Sequence, residues 1–380
     1  MSLRITIVGA GIMGLCTAWA LARRGHTVSV FDQGNVPNPF GSSVDQHRLF
    51  RHAYGDRAGY ARMAGAAFQA WERLWADLGE TLLIPTGTLC TAGSEDGRRW
   101  LADSAAVLDS LGHPVRRLTP AEIAAEFPLV DASAVAEGIH LDSGGVLLAG
   151  RIVELLSHHL NTLGVTVHAR TPVTGLDPER ATVTLADRRT IGADVLIVSA
   201  GAWVTKLLPE TAARLTPSRQ VIAYLTPPEG LRAAWTRAPM LIDADGESGV
   251  YVVPPVAGTT MKAGDHRFSR SGDPDADRDP DPDEARDVLD RARRVLADGH
   301  RYTLANAATC FYTVTADERF VIEPLSKRSW LMSPCSGHGF KFAPALGEAL
   351  ADAIVGSAII GPGGDSPDRG NSLSLWAAGH

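Results

Sequence analysis

Residues 4–14 read Arg-Ile-Thr-Ile-Val-Gly-Ala-Gly-Ile-Met-Gly, a β-branched run that breaks abruptly into glycines. The run Arg4 to Val8 predicts a short buried strand. Apolar positions Leu15, Ala18, Leu21 and Ala22 then recur at helical spacing up to Gly25, and a second β-branched run, Thr27 to Phe31, ends on Asp32. Strand, GxGxxG turn, helix, strand and acid in that order make the βαβ unit that binds a dinucleotide. Gly9 permits the tight turn, Gly11 lets the backbone approach a pyrophosphate, and Gly14 lets the helix close on the sheet. Ile12 and Met13 complete the loop around the phosphates, where a helix N-terminus presents N–H groups. Asp32 suits an adenosine ribose. The motif alone does not separate NAD from FAD.

The chain has 380 residues, 45% hydrophobic and 21% charged, which is ordinary for a globular protein and long enough for two domains. A formal net charge of -7 argues against a nucleic-acid partner. Cys16, Cys90, Cys310 and Cys335 show neither CxxC spacing nor a disulfide framework, so a reducing compartment is expected. No cleavable leader or membrane-spanning apolar run is read at the N-terminus or beyond it. A cytoplasmic protein without a membrane partner is expected.

Further along, Asp194 to Gly201 reads as a buried strand entering a small-residue turn, after an expected strand pair, Val165–Ala169 with Thr182–Leu185. In flavoproteins with two dinucleotide-type domains such a strand returns beside the first one. That favours FAD held by one discontinuous domain, with Val173, Ala200, Gly201 and Trp203 as cofactor contacts. Gly272 to Glu284, rich in Asp and Pro, lacks calcium-loop spacing and reads as a surface loop before a helix from Ala285 to Ala297. No metal site is assigned.

Four stretches in order resemble the monomeric sarcosine oxidase and N-methyltryptophan oxidase family, within the D-amino-acid-oxidase-like flavoproteins. They are Gly9–Gly14 with Asp32; residues 48–55, Arg-Leu-Phe-Arg-His-Ala-Tyr-Gly; residues 309–313, Thr-Cys-Phe-Tyr-Thr, with Asp317; and residues 336–342, Ser-Gly-His-Gly-Phe-Lys-Phe. The resemblance implies FAD bound covalently through Cys310, as a thioether formed by a thiolate whose pKa nearby positive charge lowers. It places Arg48 against the flavin as a fixed charge, and Arg51 with Lys341 on a substrate carboxylate. Tyr54, Tyr251 and Tyr312 would line the substrate pocket. Gly337, His338, Gly339 and Phe340 would approach the flat ring, with a helix from Ala343 to Ile354 aimed at it. His338 would stand near the substrate amine, Lys262 would promote electron transfer to O2, and His266 is a further site residue. Each has a plainer reading beside it: a buried small thiol for Cys310, a solvated patch for the arginines, a structural histidine for His338, a surface lysine for Lys262. Arg48 and Arg51 are three residues apart, so on a helical turn both would project to one side.

Two positions depart from the family: His47, where a small hydroxyl residue is usual, and Val252, where some relatives carry a second tyrosine. The resemblance puts both at the active site or its wall, so a larger or cyclic amino acid is as plausible a substrate as sarcosine. The fold expected is α/β (α+β overall). A Rossmann-like FAD domain would comprise residues 1–85, 147–215 and 305–380, and a substrate domain on an antiparallel sheet 86–146 and 216–304. The activity implied is oxidation of a small secondary amino or imino acid to an imine, with O2 taking the electrons as hydrogen peroxide, by a monomer. The rivals are a same-fold dehydrogenase serving a quinone or carrier protein, and a non-catalytic dinucleotide-binding sensor.

Overall fold

The computed structural model describes residues 2–246, 249–268, 271–360 and 368–380, with the side chains of 357–360 and 368–371 excepted. The opening unit follows its pattern: strand Arg4–Val8, helix Ile12–Arg23 and strand Thr27–Phe31. Arg4–Val8 lies between Thr27–Phe31 and Val195–Val198 and runs parallel to both. The strand expected near 194–201 therefore returns beside the first. Thr166–His168 extends this sheet past Thr27–Phe31, and Ser329–Ser333 with Val321–Ser326 extend it past Val195–Val198, giving six strands. Its central strands are buried, which is why they read as continuous apolar runs rather than alternating ones. Helices Ile12–Arg23, Ala149–Thr162 and Ala343–Ile360 pack on one another over one face.

The expected pairing of 165–169 with 182–185 does not occur. Thr166–His168 pairs in parallel with Thr27–Phe31, and Thr182–Leu185 forms a hairpin with Val173–Asp177 instead. A turn of a few residues at Pro178 brings those two strands together at little entropic cost. The hairpin's apolar side, Val183 and Leu185, packs with Val8, Leu196 and Val198.

An eight-stranded sheet stands against this layer, in the order Thr303–Val314, Thr216–Thr226, Met261–Asp265, Val250–Val253, Met240–Asp243, Thr88–Ala92, Glu137–Leu141, Arg116–Leu118. All its pairs are antiparallel except Met240–Asp243 with Thr88–Ala92. Alternation along each strand sorts its side chains. Ala223, Leu225, Val250, Val252, Met261 and Ala263 pack with Val288, Leu289 and Ala292 of helix Pro282–Val295. The residues between them, Ile222, Tyr251 and Lys262, line the space toward the first layer.

The glycine turn depends on close approach. Gly9 has φ 104°, and a Cβ there would lie 2.3 Å from the Ser199 carbonyl oxygen; one on Gly14 would lie 2.0 Å from the Gly9 oxygen. Gly9→Ala is expected to destabilise the fold by about 2 kcal/mol or more, measured as a lowered urea midpoint. An unchanged midpoint would contradict this contact.

Candidate active site

A cavity of about 1440 Å³ runs from the glycine turn, at the carboxyl ends of the parallel strands, to the inner face of the eight-stranded sheet. That exceeds the roughly 300–1,000 Å³ typical of a single small-ligand pocket. Every residue expected at the site lines it except Gly14, which acts through helix packing, Cys310, and the two wall positions His47 and Val252.

At the glycine end Asp32 is held by the turn itself. The Ala10 N–H donates to Oδ2 at 2.9 Å, while the Gly34 N–H (2.8 Å) and the Asn38 amide (3.0 Å) donate to Oδ1. The Ile12 N–H, at the helix start, donates to Ser43 Oγ at 2.9 Å. Ser42 and Ser43 line this end, and nothing in the sequence reading had singled them out.

Behind Arg48 and Lys262, which line the cavity, lies the group that pairs both, Asp45, which the sequence reading missed. Its side chain is 4% exposed; it forms ion pairs with Arg48 and with Lys262, the latter at 2.7 Å, and accepts from Tyr224 Oη at 2.5 Å. Burial pushes the Asp45 carboxyl up, but Lys262 and Arg48 outweigh that and hold it well below the usual carboxylate range. Burial pushes the Lys262 ammonium down, opposed by Asp45. At 1% side-chain exposure, Lys262 is not a surface lysine. The available signal for Asp45 was an acid three residues before Arg48, a spacing that usually marks a solvated pair.

Arg48 and Arg51 do not share a helical turn. Arg48–Phe50 is a short strand paired with Gly145–Leu147, which buries Phe50 and sends the two guanidinium groups apart. Arg48 turns to Asp45 and the Ser42 carbonyl; Arg51 lies 4.2 Å from the Tyr54 ring centroid and 5.9 Å from that of Trp100. Near Arg51, Lys341 Nζ donates to Tyr54 Oη at 2.9 Å and to the His338 carbonyl at 2.7 Å. Among the described residues no carboxylate pairs with Lys341 or Arg51. Burial, reinforced by Arg51, pushes the Lys341 ammonium well down. Trp71 donates to the Lys341 carbonyl at 2.6 Å and pins the residue from behind.

His338 sits in an aromatic cluster, stacked 4.4 Å from Phe320 and edge-on to Tyr60 at 5.0 Å. Its Nε2 lies 3.2 Å from the Glu318 carbonyl, so that nitrogen carries the proton and Nδ1, which has no partner among the described residues, is an acceptor. Burial, with Lys341 and Arg51, keeps the ring neutral. His266, Tyr251 and Tyr312 also line the cavity, with Tyr251 and His266 ring centroids 5.8 Å apart.

Cys310 packs in the wall behind Ile222 and Tyr312. Its thiol is not lowered as expected: burial pushes it up to about 11, and Arg48 opposes that only in part. Neither departure from the family faces the cavity. His47 is buried, its Nε2 held by the Thr260 carbonyl at 3.0 Å, and Val252 packs toward helix Pro282–Val295. An apolar backing and a tie between two segments, not substrate contact, are what these side chains supply.

A dinucleotide with a flat redox ring fits this lining. Gly9 and Gly11 carry no side chains where a pyrophosphate would approach, Asp32 stands beside them as an acceptor that suits a ribose, and cationic groups line the cavity farther on. The chain matches the family described as FAD dependent oxidoreductase over residues 4–353. It is 30% identical to a monomeric sarcosine oxidase from Bacillus sp. (strain NS-129), covering 91% of each chain. It is 27% identical to an N-methyl-L-tryptophan oxidase from Yersinia pestis (strain Pestoides F), over 92% of this chain and 94% of that one. The solved L-proline dehydrogenase from P. horikoshii shares the fold, with a TM-score of 0.80 at 20% identity, over 93% of this chain and 94% of that one.

Two fully packed imidazoles set an acid limit. Burial lowers His47 to about 3 and His52 to about 4, so between pH 6.5 and 4 the unfolded chain takes up protons that the folded one refuses. Stability from these groups is complete above pH 6.5 and lost as pH falls. His47→Asn should flatten the calorimetric stability–pH slope in that window by about 1.4 kcal/mol per pH unit. An unchanged slope would contradict the neutral buried imidazole.

Proposed function

The chain belongs to the FAD dependent oxidoreductase family, and from that membership we propose that it is an amine oxidase acting on a small secondary amino or imino acid, N-methylated or cyclic. The observation that carries this reading is the uncompensated cationic pair, Lys341 and Arg51, in the cavity that begins at the dinucleotide turn. With no acid beside it the Lys341 ammonium is pushed well down, and a bound carboxylate would oppose that and meet Lys341 and the Arg51 fork with charge-assisted hydrogen bonds.

Bound FAD would supply the acceptor for the substrate C–H electrons and pass them to O2 as hydrogen peroxide. The residues that would hold it are Gly9, Gly11, Ile12, Met13, Asp32, Val173, Ala200, Gly201 and Trp203, with Arg48 and residues 337–340 toward the ring and Cys310 as the covalent anchor. Tyr54, Tyr251 and Tyr312 enclose the substrate and exclude water. The positive site favours the neutral amine over its ammonium form, and His338 Nδ1 can accept from that amine's N–H. Lys262 supplies a positive charge where reduction of O2 creates negative charge. We assign FAD to 1–85, 147–215 and 305–380 and the substrate to 86–146 and 216–304. One adjustment follows from hydrogen bonding: the strand Thr303–Val314 goes with the substrate sheet.

A dehydrogenase passing electrons to a quinone or carrier protein is the second reading. The pairing of Lys262 with Asp45, which offsets part of the charge offered to oxygen, favours it.

Acid precipitation tests the anchor. Flavin absorbance between about 300 and 550 nm should stay with the washed pellet and leave it in Cys310→Ser. Because the thiol is pushed up to about 11, covalent incorporation should speed up as pH rises toward that value. Flavin wholly in the supernatant would refute the anchor. A peroxide assay over N-methyl and cyclic amino acids should detect turnover, and Arg51→Gln or Lys341→Met should raise KM roughly tenfold to a hundredfold. Flavin reduction followed by a quinone, without peroxide, would select the dehydrogenase.

A further inference from the structure

Resting on the reading of Lys262 as the oxygen-facing cation, we propose that Asp45 is its positioning residue, a buried counter-ion that holds the Lys262 ammonium charged and oriented at the cavity wall. The two groups come from different layers. Asp45 precedes the short strand Arg48–Phe50, and Lys262 lies on Met261–Asp265 of the eight-stranded sheet, facing the cavity between the inward-packed Met261 and Ala263. The Asp45 carboxylate spans the gap. Oδ2 meets both Lys262 Nζ and Arg48, and Oδ1 accepts from Tyr224 Oη and the Gln46 N–H.

Without Asp45 two cations would share one buried site, and the flexible ammonium, not the guanidinium, would give up its proton. The other groups facing Lys262 carry no charge to replace it. Cys310, Tyr224, Tyr251 and Tyr312 are kept protonated by burial, and the His47 ring is neutral with its value lowered to about 3. Arg48 and Lys262 against Asp45 leave one net positive charge. Of the three ammonium donors, Asp45 and the His47 carbonyl take two, at 2.7 and 2.8 Å, leaving one for a group in the cavity. A single carboxylate thus does two things: it keeps the charge, and it points what remains of the donor set.

The test is a pH titration of the flavin absorption spectrum in the holoenzyme without substrate or oxygen. Deprotonation of Lys262 should shift the bands in the wild type, and Asp45→Asn should move that transition down by at least one pH unit. Asp45→Asn combined with Lys262→Met should abolish it. In Asp45→Asn, reoxidation by O2 should be kept below the displaced transition and lost above it, while reduction by substrate is unaffected at saturation. A transition at the wild-type pH in Asp45→Asn, or one that survives Lys262→Met, overturns the proposal. Should Asp45→Asn fail to fold, Tyr224→Phe reads the same coupling. It takes one donor from the carboxylate, strengthens its hold on Lys262 and moves the transition upward; no shift there also overturns the proposal. Reoxidation that ignores Lys262→Met would instead refute the oxygen role of the lysine, and the spectral transition would still report on Asp45.

Discussion

Arg48, Arg51, Lys262 and Lys341 converge on one cavity, and two of the four are lysines with almost no exposure. Burying a cation is costly unless it finds an anion or a set of acceptors. Arg48 and Lys262 solve this inside the protein, with Asp45. Lys341 has a phenol and a backbone carbonyl, and Arg51 a carbonyl and aromatic faces. The lining is therefore electrostatically complete where Asp45 backs Arg48 and Lys262 and incomplete at Lys341 and Arg51, which is the condition a carboxylate relieves. Trp71 behind Lys341, the aromatic cluster around His338 and the Tyr224 bond to Asp45 all serve to keep these charges where they are.

The two layers divide the work along physical lines. The parallel sheet offers bare backbone at the carboxyl ends of its strands, suited to a ligand that binds through phosphates and ribose. The antiparallel sheet offers alternation, so one face can seal against helix Pro282–Val295 while the other carries Tyr251 and Lys262 into the cavity. A one-residue slip in any of those strands would exchange the two sets. The register of Tyr224 opposite Lys262 is accordingly part of the site as much as of the fold.

Much of this was legible in the sequence where the signal was local. The strand–glycine–helix–strand–acid run placed the first sheet, and the apolar run ending in Ser199, Ala200 and Gly201 placed its neighbour. Non-local choices were not legible. Thr166–His168 and Thr182–Leu185 look alike as isolated strands, and only the short turn at Pro178 and the open edge beside Thr27–Phe31 decide their partners. Arg48 and Arg51 have helical spacing, yet pairing with Gly145–Leu147 makes the segment extended. Asp45 resembles any surface acid until the eight-stranded sheet brings Lys262 against it. For the same reason His47 and Val252 looked like substrate contacts, although the fold turns both away from the cavity.

The central claim is that the cationic end formed by Arg51 and Lys341 binds a carboxylate next to the flavin. Titrating the oxidised holoenzyme with acetate, which has no amine to oxidise, and following the flavin absorption bands tests it directly. A saturable perturbation that weakens roughly tenfold or more in both Arg51→Gln and Lys341→Met is the predicted result. No perturbation, or one indifferent to both substitutions, would contradict it.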